Sequence, residues 1–149
     1  MSWSLTVAAI VQRGDRFLMV EEEDPGHPQP VLNQPAGHVD PGEGIVEAAV
    51  RETLEETGLE FTPTHLVGIY QLQARNGQDY CRICFTGTVP DTGIAVPREG
   101  EILACHWLTR AEIAAGLPRS SVVLACIDDY LAGRRLPLEA IAAVRKDRL

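Results

Sequence analysis

The residues in this chain whose types and spacing can do chemistry are three glutamates, Glu52, Glu55 and Glu56. On a helix they stand three and four residues apart, so at about 100° per residue they project from one face. Like charges at that spacing repel and weaken a helix. A cation bound among them would turn the repulsion into a binding site. Every donor in the set is a hard carboxylate oxygen, which selects magnesium or manganese over zinc.

Such a cluster needs a helix held in place and a loop beside it. Val46, Ala49, Val50, Thr53, Leu54 and Thr57 recur at i, i+3, i+4, i+7, i+8 and i+11. That spacing predicts a helix over 44–57 with one stripe docked on a core. Gly58 supplies its stop. At the other end, Pro41-Gly42-Glu43-Gly44 reads as a tight loop whose backbone can approach a ligand closely.

Gly37, Glu43, Arg51-Glu52, Glu55-Glu56, Gly58 and Leu59 together resemble the Nudix box, a motif defined by fixed charges and glycines on a loop that runs into a helix. One position departs: Thr53 stands where the box has a bulky aliphatic residue. Thr is β-branched and near Val in volume, so the departure reads as packing. The resemblance implies an α/β fold with a mixed β-sheet between helices, in a single domain over residues 1–149. It implies hydrolysis of phosphoanhydride bonds assisted by Mg2+, with Mn2+ as a substitute. It also implies roles. Glu52, Glu55, Glu56 and the Gly37 carbonyl are expected metal ligands, and Glu55 or Glu56 also serves the attacking water. Glu43 supports that shell, and Arg51 clamps one of the carboxylates. A further loop carboxylate is expected from Glu99 or Glu101.

Outside the box, Val20-Glu21-Glu22, Asn33-Gln34-Pro35-Ala36-Gly37-His38, Arg119-Ser120 and Pro137-Leu138-Glu139 are similar to a phosphatase branch of the family found in bacteria. That branch acts on nucleoside tri- and diphosphates and on a thiamine precursor, hydroxymethylpyrimidine pyrophosphate, releasing phosphate. The proline and tyrosine that mark the ADP-ribose and dinucleoside-polyphosphate classes are missing from Ala74-Arg75-Asn76-Gly77. Hydrolysis of those substrates, or a catalytically silent nucleotide sensor, stands as the alternative. Asn33, Gln34 and His38 are candidates to read a base. Arg82 and Arg119 are candidates to hold phosphate, Arg119 because it leads into a helix N-terminus. Trp3, Tyr70 and Tyr80 read as core packing.

Composition bounds the rest. With 149 residues, 45% hydrophobic and 23% charged, the chain can build a full core. A net charge of −8 disfavours polynucleotide partners. No apolar run is long enough for a membrane span, and no basic segment precedes the short apolar run near the N-terminus, so a cytoplasmic monomer or homodimer is expected. Cys81 and Cys84 fall on opposite faces of a strand and read as reduced thiols rather than a metal motif.

Along the chain, Leu5–Val11 and Phe17–Glu21 read as a hairpin about Gly14-Asp15, and 31–36 as one extended piece. Strands are expected near 65–73, 80–89 (interrupted at Gly87) and 102–108, with an Asn-Gly turn between the first two. Thr109 with Glu112 is a capping-box signature. Ser120 or Ser121 opens a second helix to about Ala132, and the segment 134–149 reads as a turn and a last short helix.

Overall fold

The computed structural model describes residues 2–144. Two sheets meet at the middle of the molecule. The first holds β1 (Ser4–Ile10), β5 (Ala36–His38), β6 (Thr62–Gln73), β7 (Asp79–Thr88) and β9 (Leu136–Pro137), in the order β5-β1-β7-β6-β9. It is mixed, because β1 runs parallel to β7 while its other pairings are antiparallel. The second holds β2 (Gln12–Arg13), β3 (Arg16–Glu22), β4 (Val31–Asn33) and β8 (Ala104–Thr109), all antiparallel. The helices are α1 (Ile45–Thr57), α2 (Arg110–Ala115) and α3 (Ser121–Leu131).

Alternation along the strands gives the mixed sheet two buried faces. Val7, Ala9, Ile83 and Phe85 pack with Ala48 and Ala49 of α1. Ala8, Ile10, Val67 and Cys84 pack with Val122, Val123, Cys126 and Ile127 of α3. Cys81 and Cys84 thus do fall on opposite faces, and all four cysteines are free thiols.

Several local readings change. Most of Leu5–Val11 does not pair with Phe17–Glu21: the chain leaves the first sheet after Ile10, and the hairpin with β3 is made by Gln12–Arg13, with the Val11 carbonyl accepting from the Leu18 N–H at 3.0 Å. The extended piece 31–36 is split in the same way, β4 in one sheet and β5 in the other. Gly87 does not interrupt β7; it faces Pro63 at an irregular register, where a Cβ would overlap the Thr62 carbonyl. Trp3 is exposed, whereas Tyr70 is half-buried and donates to Asp129 at 2.7 Å. Ser120 occupies the N-cap of α3 without a side-chain bond to it. The last helix is a 3-10 turn at Leu138–Ala140, and residues 145–149 lie outside the described residues. The capping box forms as read, with Thr109 Oγ1 accepting from the Glu112 N–H and the Glu112 carboxylate from the Thr109 N–H.

The phase of α1 differs in part: Ala49, Thr53 and Thr57 are buried and Val46 and Val50 pack on the core as read. Leu54 is exposed, while the inward face carries Ala48, Ala49, Thr53, Glu56 and Thr57. Thr53 is fully buried, and its hydroxyl donates to the Ala49 carbonyl at 2.8 Å. That carbonyl already lies within the helix ladder, so the hydroxyl bond is an addition to a satisfied backbone. Thr53→Val should therefore shift the unfolding free energy by less than about 1 kcal/mol, read from a denaturant titration, and leave turnover at the wild-type level.

Candidate active site

Helix α1 opens at Gly44, an extended N-cap residue, and closes on Gly58, whose left-handed φ of 72° lets its N–H reach the Leu54 carbonyl. Its inward face lies against β5. The Ala36 N–H donates to Glu56 Oε1 at 2.8 Å. One residue on, Gly37 lies directly on the Glu52 carboxylate, where any Cβ would overlap that group. Glycine is required here by the close approach of a backbone to a carboxylate.

The three glutamates are therefore not equivalent. Glu56 points inward and is 3% exposed, Glu52 is half-buried, and Glu55 faces outward. Burial pushes Glu56 up to about 8, and the neighbouring charges of Glu22, Glu52 and Glu101 act in the same direction. Burial also raises Glu52, against the pull of Arg51. Glu56 forms no ion pair among the described residues.

Arg51 engages every donor it has. Nε bonds Glu43 at 2.6 Å, and Nη2 bonds Glu43 at 2.9 Å and the His38 carbonyl at 3.0 Å. Nη1 divides between Glu52 at 2.9 Å and Glu55 at 3.1 Å. Glu43 in turn accepts from the Asp40 N–H at 3.1 Å, which folds the loop back on the helix, and its bonds to Arg51 hold its carboxyl below the usual range. Arg51 draws Glu52 and Glu55 toward itself, and no three carboxylate, imidazole or thiol side chains among the described residues enclose a metal position.

The loop 96–103 closes over the C-terminal end of α1. The Val96 N–H donates to the Thr57 carbonyl and the Arg98 N–H to the Glu56 carbonyl. Arg98 pairs with both Glu55 and Glu101 at 3.3 Å. Glu101, not Glu99, is the loop carboxylate whose charge reaches Glu52 and Glu56.

Residues 3–125 match the model of the NUDIX domain. The chain belongs to the Nudix family. It is 37% identical over 138 residues to Phosphatase NudJ of Escherichia coli strain K12, covering 92% of this chain and 89% of that one. A NUDIX hydrolase from Nitrosomonas europaea superposes with a TM-score of 0.88 at 40% identity, covering 96% of this chain and 98% of the other. The NUDIX domain of Shewanella oneidensis NrtR, solved with ADP ribose, shares the fold at a TM-score of 0.74 and 16% identity, covering 89% of each chain. The protein is a Nudix hydrolase with the α/β Nudix fold. Hydrolases of this family act on small molecules and generally use a divalent metal. No helix among the described residues is long and apolar enough to cross a membrane.

The candidate substrate residues of this Nudix hydrolase divide sharply. Asn33, Gln34 and Arg82 turn inward and bond one another. Arg82 Nη1 donates to Gln34 at 2.8 Å and Nη2 to Asn33 at 3.0 Å. The Gln34 amide donates to the Val123 carbonyl and that of Asn33 to Glu22. With Gln34 1% exposed and its amide engaged at both ends, these residues join β4, β7 and α3 rather than face a ligand. Arg119 does not leave an open anion site: it bonds Glu22 at 2.8 Å and approaches Asp24 at 3.6 Å. His38 alone of the five is exposed and without a side-chain hydrogen bond among the described residues, its ring edge-on to Tyr80. Arg98, which contacts Glu55 and Glu101, was not among the residues singled out from the sequence. The signal was available, since Arg98 lies three residues before Glu101 in the same loop.

Proposed function

We propose that this Nudix hydrolase uses Mg2+, with Mn2+ able to replace it, to cleave phosphoanhydride bonds of nucleoside tri- and diphosphates or of a similar small diphosphate such as hydroxymethylpyrimidine pyrophosphate. The observation that carries the reading is Glu56, a carboxyl only 3% exposed that accepts from the Ala36 N–H and has no cation against it among the described residues. Burying a carboxylate with no counter-charge is costly, and a hard divalent cation is the group that would offset it. Glu52, Glu55, Glu56 and the Gly37 carbonyl would hold that cation. When bound, it would supply charge to offset the phosphate oxygens and lower the pKa of an attacking water.

The remaining roles follow from position. Glu55, the outermost of the three, is reachable by solvent and suits the orientation of water, with Glu56 as its alternate. Glu43 and Arg51 fix the loop against the helix, so that Glu52 stays on Gly37. Glu101 is the extra loop carboxylate. The likeness to Phosphatase NudJ supports release of phosphate rather than pyrophosphate. The same reading takes the chain as one working domain without polynucleotide partners. It places that domain in the cytoplasm, where four free thiols are at home.

A substrate panel with Mg2+ tests it. Triphosphates, diphosphates, ADP-ribose, dinucleoside polyphosphates and the pyrimidine pyrophosphate are assayed with phosphate and pyrophosphate measured separately. Phosphate released from di- and triphosphates is the expected result. Pyrophosphate as the main product from triphosphates, or turnover confined to ADP-ribose or dinucleoside polyphosphates, would overturn it.

A further inference from the structure

We infer that Arg98 is a phosphate-contacting residue: its guanidinium, parked on Glu55 and Glu101, meets an oxyanion of the substrate's diphosphate at the mouth of the site. The inference rests on the reading of the chain as a phosphoanhydride hydrolase. Among the described residues of this acidic face, Arg98 is a cation with hydrogen bonds left to give.

The substrate brings several negative charges to a site already lined with carboxylates, so fixed cations are needed beside it. Among the described residues, Arg51 and Arg98 are the arginines that bond carboxylates of α1. Arg51 has spent all its donors on Glu43, Glu52, Glu55 and the His38 carbonyl. Arg119 is bound to Glu22 and Asp24, and Arg82 is buried against amides. Arg98 differs from all three. Its side chain is 49% exposed, and it makes two long contacts, Nη1 to Glu55 at 3.3 Å and Nε to Glu101 at 3.3 Å. Nη2 has no partner among the described residues. An arginine fork with its outer nitrogen free matches two oxygens of a phosphate.

The backbone makes the placement firm while the side chain stays free. The Arg98 N–H bonds the Glu56 carbonyl, and the Arg98 carbonyl accepts from the Ile102 N–H at 2.9 Å. Arg98 thus sits on the C-terminal carbonyls of α1, a helix with no basic residue in its last turn. A cation there is favoured by the helix dipole. Its contacts with Glu55 and Glu101 are exposed and weak. Any group that takes up those carboxylates releases the guanidinium toward the substrate.

The test compares the full-length wild type with Arg98→Ala and Arg98→Lys. Three quantities are read: Mn2+ affinity without substrate, by calorimetry; affinity for a nucleoside diphosphate whose bridging oxygen is replaced by methylene; and kcat and KM separately. For Arg98→Ala, the probe binds about tenfold or more weakly and KM rises in step, as loss of a charged hydrogen bond predicts. The kcat falls by less, and Mn2+ affinity is held or tightened, because a competing cation has gone. Arg98→Lys restores part of the probe affinity. Unchanged probe affinity in Arg98→Ala overturns the inference. So does Mn2+ affinity that weakens in parallel with kcat, which would make Arg98 only a brace for Glu101. A wild type that binds the probe without cleaving any diphosphate removes the hydrolytic reading and leaves the Arg98 contact to be judged by the probe alone.

Discussion

Glu56→Gln should lose about 10²–10⁴-fold in turnover and yet be the more stable protein once metal is chelated. The two effects have one origin. Folding buries the Glu56 carboxyl beside Glu22, Glu52 and Glu101, and this pushes it up to about 8 from an ordinary 4.5. The folded state therefore binds a proton that the unfolded state has released. Where the folded state holds the extra proton, unfolding free energy falls as pH rises. The contribution of Glu56 to the stability of the chelated wild type should thus be greatest below about pH 4.5, decline through the interval to about 8, and level off above it, while the lowered carboxyls of Asp24, Glu43 and Asp128 act in the opposite sense at acid pH. Across that interval the decline amounts to a few kcal/mol. Glutamine can still accept from the Ala36 N–H and carries no proton to lose, so the slope from this position should vanish. Saturating Mg2+ should reverse the order, because a ligand that binds only the folded state stabilises it. Chemical denaturation of both proteins at a series of pH values, with chelator and with Mg2+, checks every part. Parallel pH slopes in chelator would remove Glu56 from its assigned place.

The sequence carried the identity of these groups better than their direction. The box glutamates, the Gly58 stop, the Asn-Gly turn and the Thr109 capping box are local signals, decided within a few residues by backbone geometry, and each stands where it was read. The phase of α1 is another matter. Two stripes fit the same helix. One, the stripe read from the sequence, runs through Val46, Ala49, Val50, Thr53, Leu54 and Thr57. The other, rotated by about one residue, runs through Ile45, Ala48, Ala49, Glu52, Thr53 and Glu56. Hydrophobicity favours the first, because the second contains two carboxylates. The fold turns the helix part of the way toward the second: Ala49, Thr53 and Thr57 stay buried and Val46 and Val50 still pack on the core, while Leu54 turns out and Glu56 turns in, since β5 offers an amide to one of those carboxylates and a glycine to the other. A functional site inverts the ordinary rule here, and pattern alone cannot foresee it. The same limit explains Asn33, Gln34 and Arg82. Their polarity marked them as contacts, but their partners come from segments 48 and 49 residues apart, and that proximity is a product of topology. Likewise Leu5–Val11 looks like half of a hairpin until the chain changes sheets near Val11, a choice made by the distant strand β7.

Arg51→Ala should be the most destabilising single change in the site, by about 3 kcal/mol in chelated protein. The side chain is 27% exposed, while Glu43 and Glu52 beside it are each 14% exposed. Removing it leaves two mostly buried carboxylates, Glu43 and Glu52, without their cation, leaves Glu55 with Arg98 alone, and breaks the bond that holds His38 to the helix. The figure stands at the low end of what a broken buried pair costs, because Glu55 is open to solvent and screened. Arg51→Lys should recover little. A single ammonium cannot reproduce a fork that bonds Glu43 through two nitrogens while a third reaches both Glu52 and Glu55. Divalent metal supplies the control. If the loss comes from carboxylate repulsion, Mg2+ should restore more stability to Arg51→Ala than it adds to the wild type, although turnover stays low with the loop released. If Mg2+ stabilises both proteins equally, Arg51 holds the loop by packing alone, and the carboxylates are not the charges it balances.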